Sequence, residues 1–489
     1  MIKRDKEAKG ETMDKRLTWD KLLSEERTRM DFGKVKNNPF RNEFEADYDR
    51  IVGSSSVRRL QDKAQVFPLQ ENDFTRTRLT HSVEVSALAR SLGKAVGKEL
   101  EKIDSENFTP EKTEKLASLL QVAGLIHDLG NPPFGHYGET VIREWFKKWF
   151  ENEYKTFQQA KANLKEQAIL NQQEKNDFIF FDGNVQNLRI VTKLQTLNDE
   201  HGANFTYGTL SAIIKYPWSS EANEEADKFG YFASENDIIQ HIWEKTGLSE
   251  GVRHPATYLL EAADDIIYIC DDIEDGVKKG YICWKDEYAN LQEAFKNQER
   301  YVELFEMINS KETDRHMDAS ERILAQVRNF RNIVQTYLFM KAKEKFISSY
   351  DELMEGRFES KEILINEKPF IKKLKDITKR NCFGCQEVLE LELVGDKVLK
   401  TLLDIFVPTI LNSTQEEIND TKIYAGKLYK IISPNFKYIA CHDYCTGEYR
   451  EFKNIPIYDK LHLVVDYISG MTDSYAVNLY KKLVGIELP

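Results

Sequence analysis

A histidine and an aspartate stand side by side where an apolar segment of the chain ends. His127 and Asp128 close this segment, and Gly130 with the following Pro-Pro dipeptide stops any helix, because proline has no N–H to donate and restricts the residue before it. Two more ionisable side chains, His136 and Glu139, come shortly after. An apolar helix that ends on imidazole and carboxylate groups is suited to holding a metal ion at the wall of a cavity.

A second pattern lies in the apolar stretch that follows Pro255. Asp264, Tyr268 and Asp272 recur at every fourth position, so they form a stripe along one face of the predicted helix. Isoleucines occupy much of the remaining surface, and a helix that is apolar on most sides is buried. A buried carboxylate needs a partner, which a metal ion or an arginine would provide.

A third helix is predicted to begin near Thr75, and it places Arg78 and His81 on one face. With this helix the chain offers two histidines and two carboxylates for a single site, namely His81, His127, Asp128 and Asp264. Imidazole and carboxylate ligands suit Mg, Mn, Fe, Ni or Zn. An octahedral shell would leave positions for water and for phosphate oxygens of a substrate.

The composition describes a globular chain of 489 residues with 41% hydrophobic residues and a net charge of −12. This charge argues against a protein that mainly coats nucleic acid, although a local basic site for phosphates remains compatible with it. No apolar run reaches the ~20 residues that a membrane span requires, and the N-terminus lacks the apolar core of a signal peptide. We therefore expect a cytoplasmic protein without a membrane segment.

Helical periodicity dominates the chain and alternating strand patterns are sparse, so the predicted fold is mainly α. We expect an N-terminal arm over residues 1–45 and a catalytic helical core over 46–370. The core contains an insertion at about 150–250, of which residues 199–235 are turn-rich, and a helical region over 371–489 packs on it.

Five stretches together resemble one known family. The order His…His-Asp…Asp resembles the HD-domain phosphohydrolases, and the surrounding sequence is most similar to the deoxyguanosine triphosphate triphosphohydrolase (dGTPase) branch. The stretches are Arg58–Leu69, Arg76–Val85, Ala123–Glu139, Glu261–Gly276 and Asp466–Ala476. The resemblance implies an HD-domain helical core with a helical C-terminal appendage, assembled as a homo-oligomer, a hexamer in this branch.

The resemblance also implies a reaction and a role for each matching residue. A metal-bound water would attack the α-phosphorus of a deoxynucleoside triphosphate, with dGTP as the expected substrate, and release deoxynucleoside and inorganic triphosphate. Mg or Mn is the expected metal, with Fe, Ni or Zn as alternatives. The metal ligands would be His81, His127, Asp128 and Asp264, the catalytic pair His136 and Glu139, and the substrate-binding residues Gln65, Arg78, Tyr268, Asp272 and Arg331.

The chemistry of these residue types agrees with that reaction. A divalent ion polarises a phosphoryl oxygen and lowers the pKa of a bound water. A His-carboxylate pair can exchange a proton with the attacking water or with the departing 5′-oxygen, and the sequence leaves these two roles of His136 open. Tyr268 placed against C2′ would exclude a ribose hydroxyl and explain a preference for deoxynucleotides.

Other interpretations remain open at the level of sequence. The chain could be an HD phosphohydrolase that cleaves another nucleotide phosphoester, or it could bind single-stranded DNA in a regulatory role alongside catalysis. The His-Asp pair could merely cap a helix. The tryptophans and phenylalanines at 145–150 are more typical of core or subunit contacts than of a platform for base stacking.

The cysteines allow one competing metal site. Cys382 and Cys385 form a CxxC pair, and Cys441 and Cys445 follow about 55 residues later. A structural zinc ion could use these four thiols, although their spacing is longer than in common zinc ribbons.

Overall fold

The structure is a computed structural model, and it describes residues 16–29, 40–67, 69, 75–160, 169–196, 199–221, 228–311, 313–314, 316–444 and 446–486. Within these ranges, β-structure is limited to isolated bridges, and the prediction of a mainly α fold is confirmed. None of the described helices is long and apolar enough to cross a bilayer.

The helices that carry or support the site come from the first part of the chain. They are α1 (Trp19–Leu22), α2 (Glu43–Val52), α3 (Ser55–Arg59), α4 (Arg78–Ile103), α5 (Pro110–Ile126), α6 (Gly135–Asn152), α7 (Tyr154–Ala160), α8 (Gln172–Ile179), α9 (Gly183–Arg189), α10 (Tyr207–Ala212), α11 (Asn236–Thr246) and α12 (Pro255–Lys278).

The remaining helices enclose this core. They are α13 (Trp284–Phe295), α14 (Glu299–Asn309), α15 (Ala319–Ser348), α16 (Tyr350–Met354), α17 (Lys368–Thr378), α18 (Gln386–Asn412), α19 (Gln415–Asn419), α20 (Tyr424–Ile431), α21 (Pro434–Cys441), α22 (Ile457–Ser469) and α23 (Asp473–Leu483). Short 3₁₀ turns lie at Leu60–Asp62, Ala233–Glu235, Ile365–Glu367 and Phe452–Asn454, and π-helical turns at Ile190–Leu194 and Lys379–Phe383.

The core forms where α4, α5 and α12 pack together. Thr109 caps the start of α5 and Pro110 follows it, which suits a first turn whose N–H groups have no partner within the helix. A Cβ at Gly124 would lie 2.7 Å from the Cα of Ser86, so glycine lets α4 and α5 approach closely. This packing brings the end of α5, the start of α4 and the middle of α12 to one place.

Helical periodicity predicts single helices over about 286–310, 318–357 and 385–405, and the structure differs from each of them. The stretch predicted as one helix over 286–310 is two helices, α13 and α14. The helix predicted over 318–357 ends at Ser348, and the one expected at 385–405 continues to Asn412 through Pro408. Buried apolar residues on both sides of this proline hold the helix together despite its missing N–H group.

The aromatic residues of α6 lie in the hydrophobic core. Phe146 is fully buried, and Trp145 and Trp149 are nearly so, which confirms their interpretation as packing residues. The division of the chain at about residues 45 and 370 stays a prediction.

Candidate active site

Three of the four predicted metal ligands form one compact group. Ligand atoms of His81, His127 and Asp128 all lie within 4.8 Å of one another. The fourth, Asp264, directs Oδ1 at both imidazoles, 3.0 Å from Nε2 of His81 and 3.5 Å from Nε2 of His127. The structure therefore brings together residues from α4, from the end of α5 and from α12.

His127 supplies a test of whether these residues suit a metal ion. Its Nδ1 lies 2.8 Å from the carbonyl oxygen of Gly124 and must donate to it, because a carbonyl can only accept. The opposite nitrogen, Nε2, is buried without a hydrogen-bond partner among the described residues. It faces Oδ1 of Asp264, and Oδ1 of Asp128 at 3.7 Å. An imidazole nitrogen and two carboxylates converge there, and a divalent cation that displaces the imidazole proton satisfies all three.

The neighbouring charges determine which members of this group are protonated. Burial alone would lower the pKa of His127, but Asp128 and Asp264 outweigh it and raise the pKa to about 9. Burial works against ionisation of Asp128, yet His127 and Arg78 lower its pKa to about 2. Burial likewise opposes ionisation of Asp264, yet His127 and His81 hold its pKa well below the usual range. Both carboxylates are therefore ionised at neutral pH, as metal ligands must be.

The loop that follows Asp128 is fixed by close backbone contacts and by buried groups. A Cβ at Gly130 would lie 2.0 Å from the carbonyl oxygen of Gly183 and 2.3 Å from the amide nitrogen of Asn187, so only glycine fits. Asn131 donates to Oδ1 of Asp128 at 2.6 Å, and the buried ammonium of Lys63 donates to the carbonyl of Asn131. The ligand loop thus has little freedom to move.

Phe134 ends this loop in a left-handed conformation, with φ of 64°. Its N–H donates to Oδ1 of Asp473 at 2.9 Å, and Oδ2 of the same carboxylate accepts from the N–H of Ala64 at 3.0 Å. Asp473 is buried at the start of α23, so the C-terminal region holds both the ligand loop and the segment that leads to Gln65.

His136 and Glu139 face each other on the first turns of α6. Nδ1 of His136 lies 3.3 Å from Oε2 of Glu139, and this contact raises the pKa of His136. The imidazole is 82% exposed while Glu139 is only 2% exposed. Oε1 of Glu139 accepts from the N–H of Gly183 at 2.8 Å, and Arg143 lies 3.3 Å from Oε2. A buried, fixed carboxylate thus orients an exposed imidazole.

The predicted substrate residues have different surroundings. Arg78 is buried and pairs with Oδ2 of Asp128 at 2.7 Å, and Oε1 of Gln65 is buried without a partner in the described chain. Asp272 is buried on α12 with one unpartnered oxygen, and burial raises its pKa well above the usual range. Tyr268 lies on the same face, half-buried, and burial raises the pKa of its phenol.

Arg331 does not pair with the ligand group. It lies on α15 and its guanidinium is 2.6 Å from Glu274. Glu274 also lies 3.2 Å from Arg76, which in turn pairs with Asp275 at 2.6 Å. A nucleotide contact by Arg331 stays a prediction.

A cavity of about 230 Å³ adjoins Asp264, and the sequence patterns did not reveal it. Its wall carries four cationic side chains, from Lys215, Arg253, Lys361 and Lys375, and four acidic ones, from Glu261, Asp264, Asp265 and Glu362. Glu261 holds two of them, Lys215 at 3.1 Å and Arg253 at 3.0 Å. These cations are separated along the chain by up to 160 positions, so spacing alone offered no signal for them.

The cysteines do not assemble into a metal site within the described chain. Cys382 is buried close to Gly276, whereas Cys441 is buried near Tyr429 and Tyr449. The histidine-aspartate group is the one metal-ligand cluster found in the described part of the chain. Cys445 lies outside the described residues, and the proposed zinc site stays a prediction.

Comparison with known proteins identifies the family. Residues 78–181 match the HD domain, and residues 446–482 match a phosphohydrolase-associated domain. A deoxyguanosinetriphosphate triphosphohydrolase-like protein of Listeria innocua is 38% identical over 479 residues, which cover 96% of this chain and 100% of that relative. The chain belongs to the deoxyguanosinetriphosphate triphosphohydrolase family.

Other relatives give the same result. A triphosphohydrolase-like protein of Synechocystis is 32% identical, with 96% of this chain and 100% of the relative covered. The deoxyguanosinetriphosphate triphosphohydrolase of Klebsiella pneumoniae is 31% identical, with 91% and 94% covered. The resemblance noted in the sequence is confirmed. Membership in this HD hydrolase family, together with the His-His-Asp cluster, indicates a divalent metal.

Proposed function

We propose that this member of the dGTPase family hydrolyses deoxynucleoside triphosphates, dGTP above all, to deoxynucleoside and inorganic triphosphate. The bond cleaved would join the α-phosphorus to the 5′-oxygen, with water as the nucleophile.

The observation that supports this substrate class is the cation-lined cavity next to Asp264. Lysine and arginine bind phosphate oxygens through charge-assisted hydrogen bonds. A tail of three phosphates that starts at the ligand group would place its β- and γ-phosphates in this cavity. Three of the four cations pair with carboxylates of the same cavity, Lys215 and Arg253 with Glu261 and Lys375 with Asp265. A chain of several phosphates would replace these carboxylates as the partner of the cations. The number of cations therefore favours a triphosphate over the alternative of a monophosphate or cyclic substrate.

His81, His127, Asp128 and Asp264 would hold the divalent ion. When bound, such an ion polarises a phosphoryl oxygen and lowers the pKa of a water. Mg or Mn is the proposed metal, and Fe, Ni or Zn are compatible with the same ligand set.

The remaining steps belong to side chains of this chain. His136 would transfer a proton to or from an oxygen at the α-phosphate, because its exposed imidazole can reach solvent and substrate while buried Glu139 orients it. Arg78 would contact a phosphate oxygen beside Asp128. Its Nε is buried without a partner among the described residues, so it retains a donor for such a contact.

The sugar would lie along the face of α12 that carries Tyr268 and Asp272. The unpartnered oxygen of Asp272 would accept from a sugar hydroxyl, and so would the unpartnered oxygen of Gln65. The ring of Tyr268 would exclude a 2′-hydroxyl. Arg331 would contact the nucleotide only after its ion pair with Glu274 breaks.

Three further proposals come from the family alone. They are assembly as a hexamer, a cytoplasmic location, and binding of single-stranded DNA as an effector. No contact in the described chain favours a second function over triphosphate hydrolysis.

Phosphorus NMR of purified protein with Mg or Mn tests the proposal, with each dNTP and GTP supplied in turn. Stoichiometric tripolyphosphate with free deoxynucleoside, fastest from dGTP and slowest from GTP, is the expected result. Release of orthophosphate or pyrophosphate would overturn it in favour of another phosphoesterase. His81→Ala should abolish turnover, whereas His316→Ala, an exposed histidine outside the site, should not.

A further inference from the structure

Four lysines form a stripe along α17 and the π-helical turn that follows it. Lys368, Lys372, Lys375 and Lys379 are separated by four, three and four positions, a spacing that places them on one face of a helix. At a rise of about 1.5 Å per residue the stripe is roughly 16 Å long. One surface line thus carries four positive charges in a chain whose net charge is −12.

The stripe reaches the cavity of the candidate site at Lys375, between Lys372 and Lys379. Lys375 lines that cavity and pairs with Asp265 at 2.7 Å. Lys372 and Lys379, one turn to either side, are exposed and make no ion pair with any described residue. Since both are exposed and unpaired, their charge acts on the solvent on either side of Lys375.

Acidic groups offset the charges of Lys368 and Lys375, so the remaining positive field comes from the exposed lysines. Lys368 lies 3.9 Å from Glu362, and Arg380 pairs with Glu287 at 2.6 Å. Asp376 is the one acidic residue within α17 that is exposed. Lys373, also exposed, adds a further positive charge beside the stripe.

We infer that this lysine stripe is a capture surface for the triphosphate group of free nucleotides and guides it toward the cavity beside Asp264. The inference rests on the proposed function, and it adds a step before binding. Aligned charges of one sign raise the local concentration and the association rate of an oppositely charged ligand by about 10- to 1,000-fold.

The arrangement favours a nucleotide over a nucleic acid as the occupant. Proteins that bind single strands combine a basic groove with exposed aromatic side chains on which bases stack. Phe370, the aromatic residue of α17, is buried, and Phe383 of the π-helical turn is half-buried against the hydrophobic core, so neither offers an exposed ring. The stripe also leads into a cavity of about 230 Å³, which suits a phosphate tail rather than a continuous strand.

Charge reversal of the two unpaired lysines, Lys372→Glu with Lys379→Glu, tests this inference. At about 10 mM salt, where the Debye length is about 30 Å, kcat/KM should fall about tenfold. At about 1 M salt, where this length is about 3 Å, the variant should come within about twofold of the wild type. The matched control, Lys427→Glu with Lys430→Glu on exposed positions of α20, changes net charge equally and should leave the salt dependence unaltered.

Several outcomes would overturn the inference. An unchanged kcat/KM at low salt, or a loss that persists at high salt, would exclude long-range capture. An equal effect in the control would show that only net charge matters. Loss of binding to a short labelled single-stranded DNA without any loss of kcat/KM would assign the stripe to nucleic acid.

Failure of the proposed function gives a different result from failure of this inference. If the wild type lacks turnover, calorimetric titration with inorganic tripolyphosphate at the same two salt concentrations tests the stripe directly. Weaker binding by the variant at low salt alone supports capture, and equal binding at both concentrations overturns it.

Discussion

Replacing Gly130 with alanine should separate the proposed metal ligands from the His136–Glu139 pair. The new Cβ would lie 2.0 Å from the carbonyl oxygen of Gly183, whereas ordinary contact begins at 3.4 Å. The two backbone segments must therefore move apart by about 1.4 Å, the difference between these distances. Gly183 also holds Glu139 through its N–H. Since a displacement of about 1 Å can cost about 100-fold in rate, we expect kcat to fall by about two orders of magnitude.

A graded series of alanine variants makes this reasoning testable by steady-state kinetics. Gly53 has no atom within 4 Å of its would-be Cβ, so Gly53→Ala should behave as the wild type. In Gly183→Ala the Cβ would meet two side-chain oxygens, of Glu139 at 2.8 Å and Asn131 at 2.9 Å. These side chains can shift, and a loss of about tenfold is expected. A Gly130→Ala enzyme within threefold of wild-type kcat, or an order of effects other than this one, would refute the argument. Circular dichroism verifies that each variant folds.

Three further predictions concern the metal, the dyad and acid stability. Chelation should abolish turnover, and added Mn²⁺ should restore it. Because a metal that binds the folded state stabilises it, added metal should raise the unfolding temperature of the wild type but not that of His127→Ala. Equal stabilisation of both proteins would contradict the ligand assignment. Glu139→Gln removes the carboxylate that raises the pKa of His136. The limb of the pH–rate profile due to His136 should therefore move to lower pH, and kcat should fall about 10- to 100-fold. An unmoved profile would exclude a role of Glu139 in orienting and charging His136. Burial lowers the pKa of His254 to about 4, so stability is complete above about pH 6.5 and decreases as the pH falls toward 4, by about 2 kcal/mol at pH 5. Urea titrations should show that His254→Asn loses less free energy of unfolding than the wild type between pH 7.5 and pH 5. His316→Asn, at an exposed position, is the control and should lose as much as the wild type. An equal loss in all three proteins would refute the assignment of this pH dependence to His254.

The helices that carry the ligands were predictable because their signals are local. Thr109 with Pro110 marks the start of α5, and the fourfold spacing of Asp264, Tyr268 and Asp272 places all three on one face of α12. Proximity of these helices did not follow from periodicity. The family resemblance predicted that these helices meet, and in the structure His81, His127 and Asp128 lie within 4.8 Å of one another.

The cavity beside Asp264 was beyond prediction for a physical reason. Lys215, Arg253, Lys361 and Lys375 belong to four separate segments, and each looks like an ordinary surface lysine or arginine in its local sequence. Only tertiary packing gives them a shared environment. The same reason explains Asp473, whose two backbone partners, Ala64 and Phe134, lie hundreds of residues before it.

That last contact has a consequence for biosynthesis. Asp473 and Phe134 are separated by 339 positions, so the ligand loop reaches its final conformation only after the C-terminal region has left the ribosome. At about 5 to 20 residues per second, this delay amounts to roughly 20 to 70 seconds. A nascent or truncated chain that already contains His81, His127 and Asp128 would have these side chains but would lack the hydrogen bonds of Asp473 that fix the ligand loop.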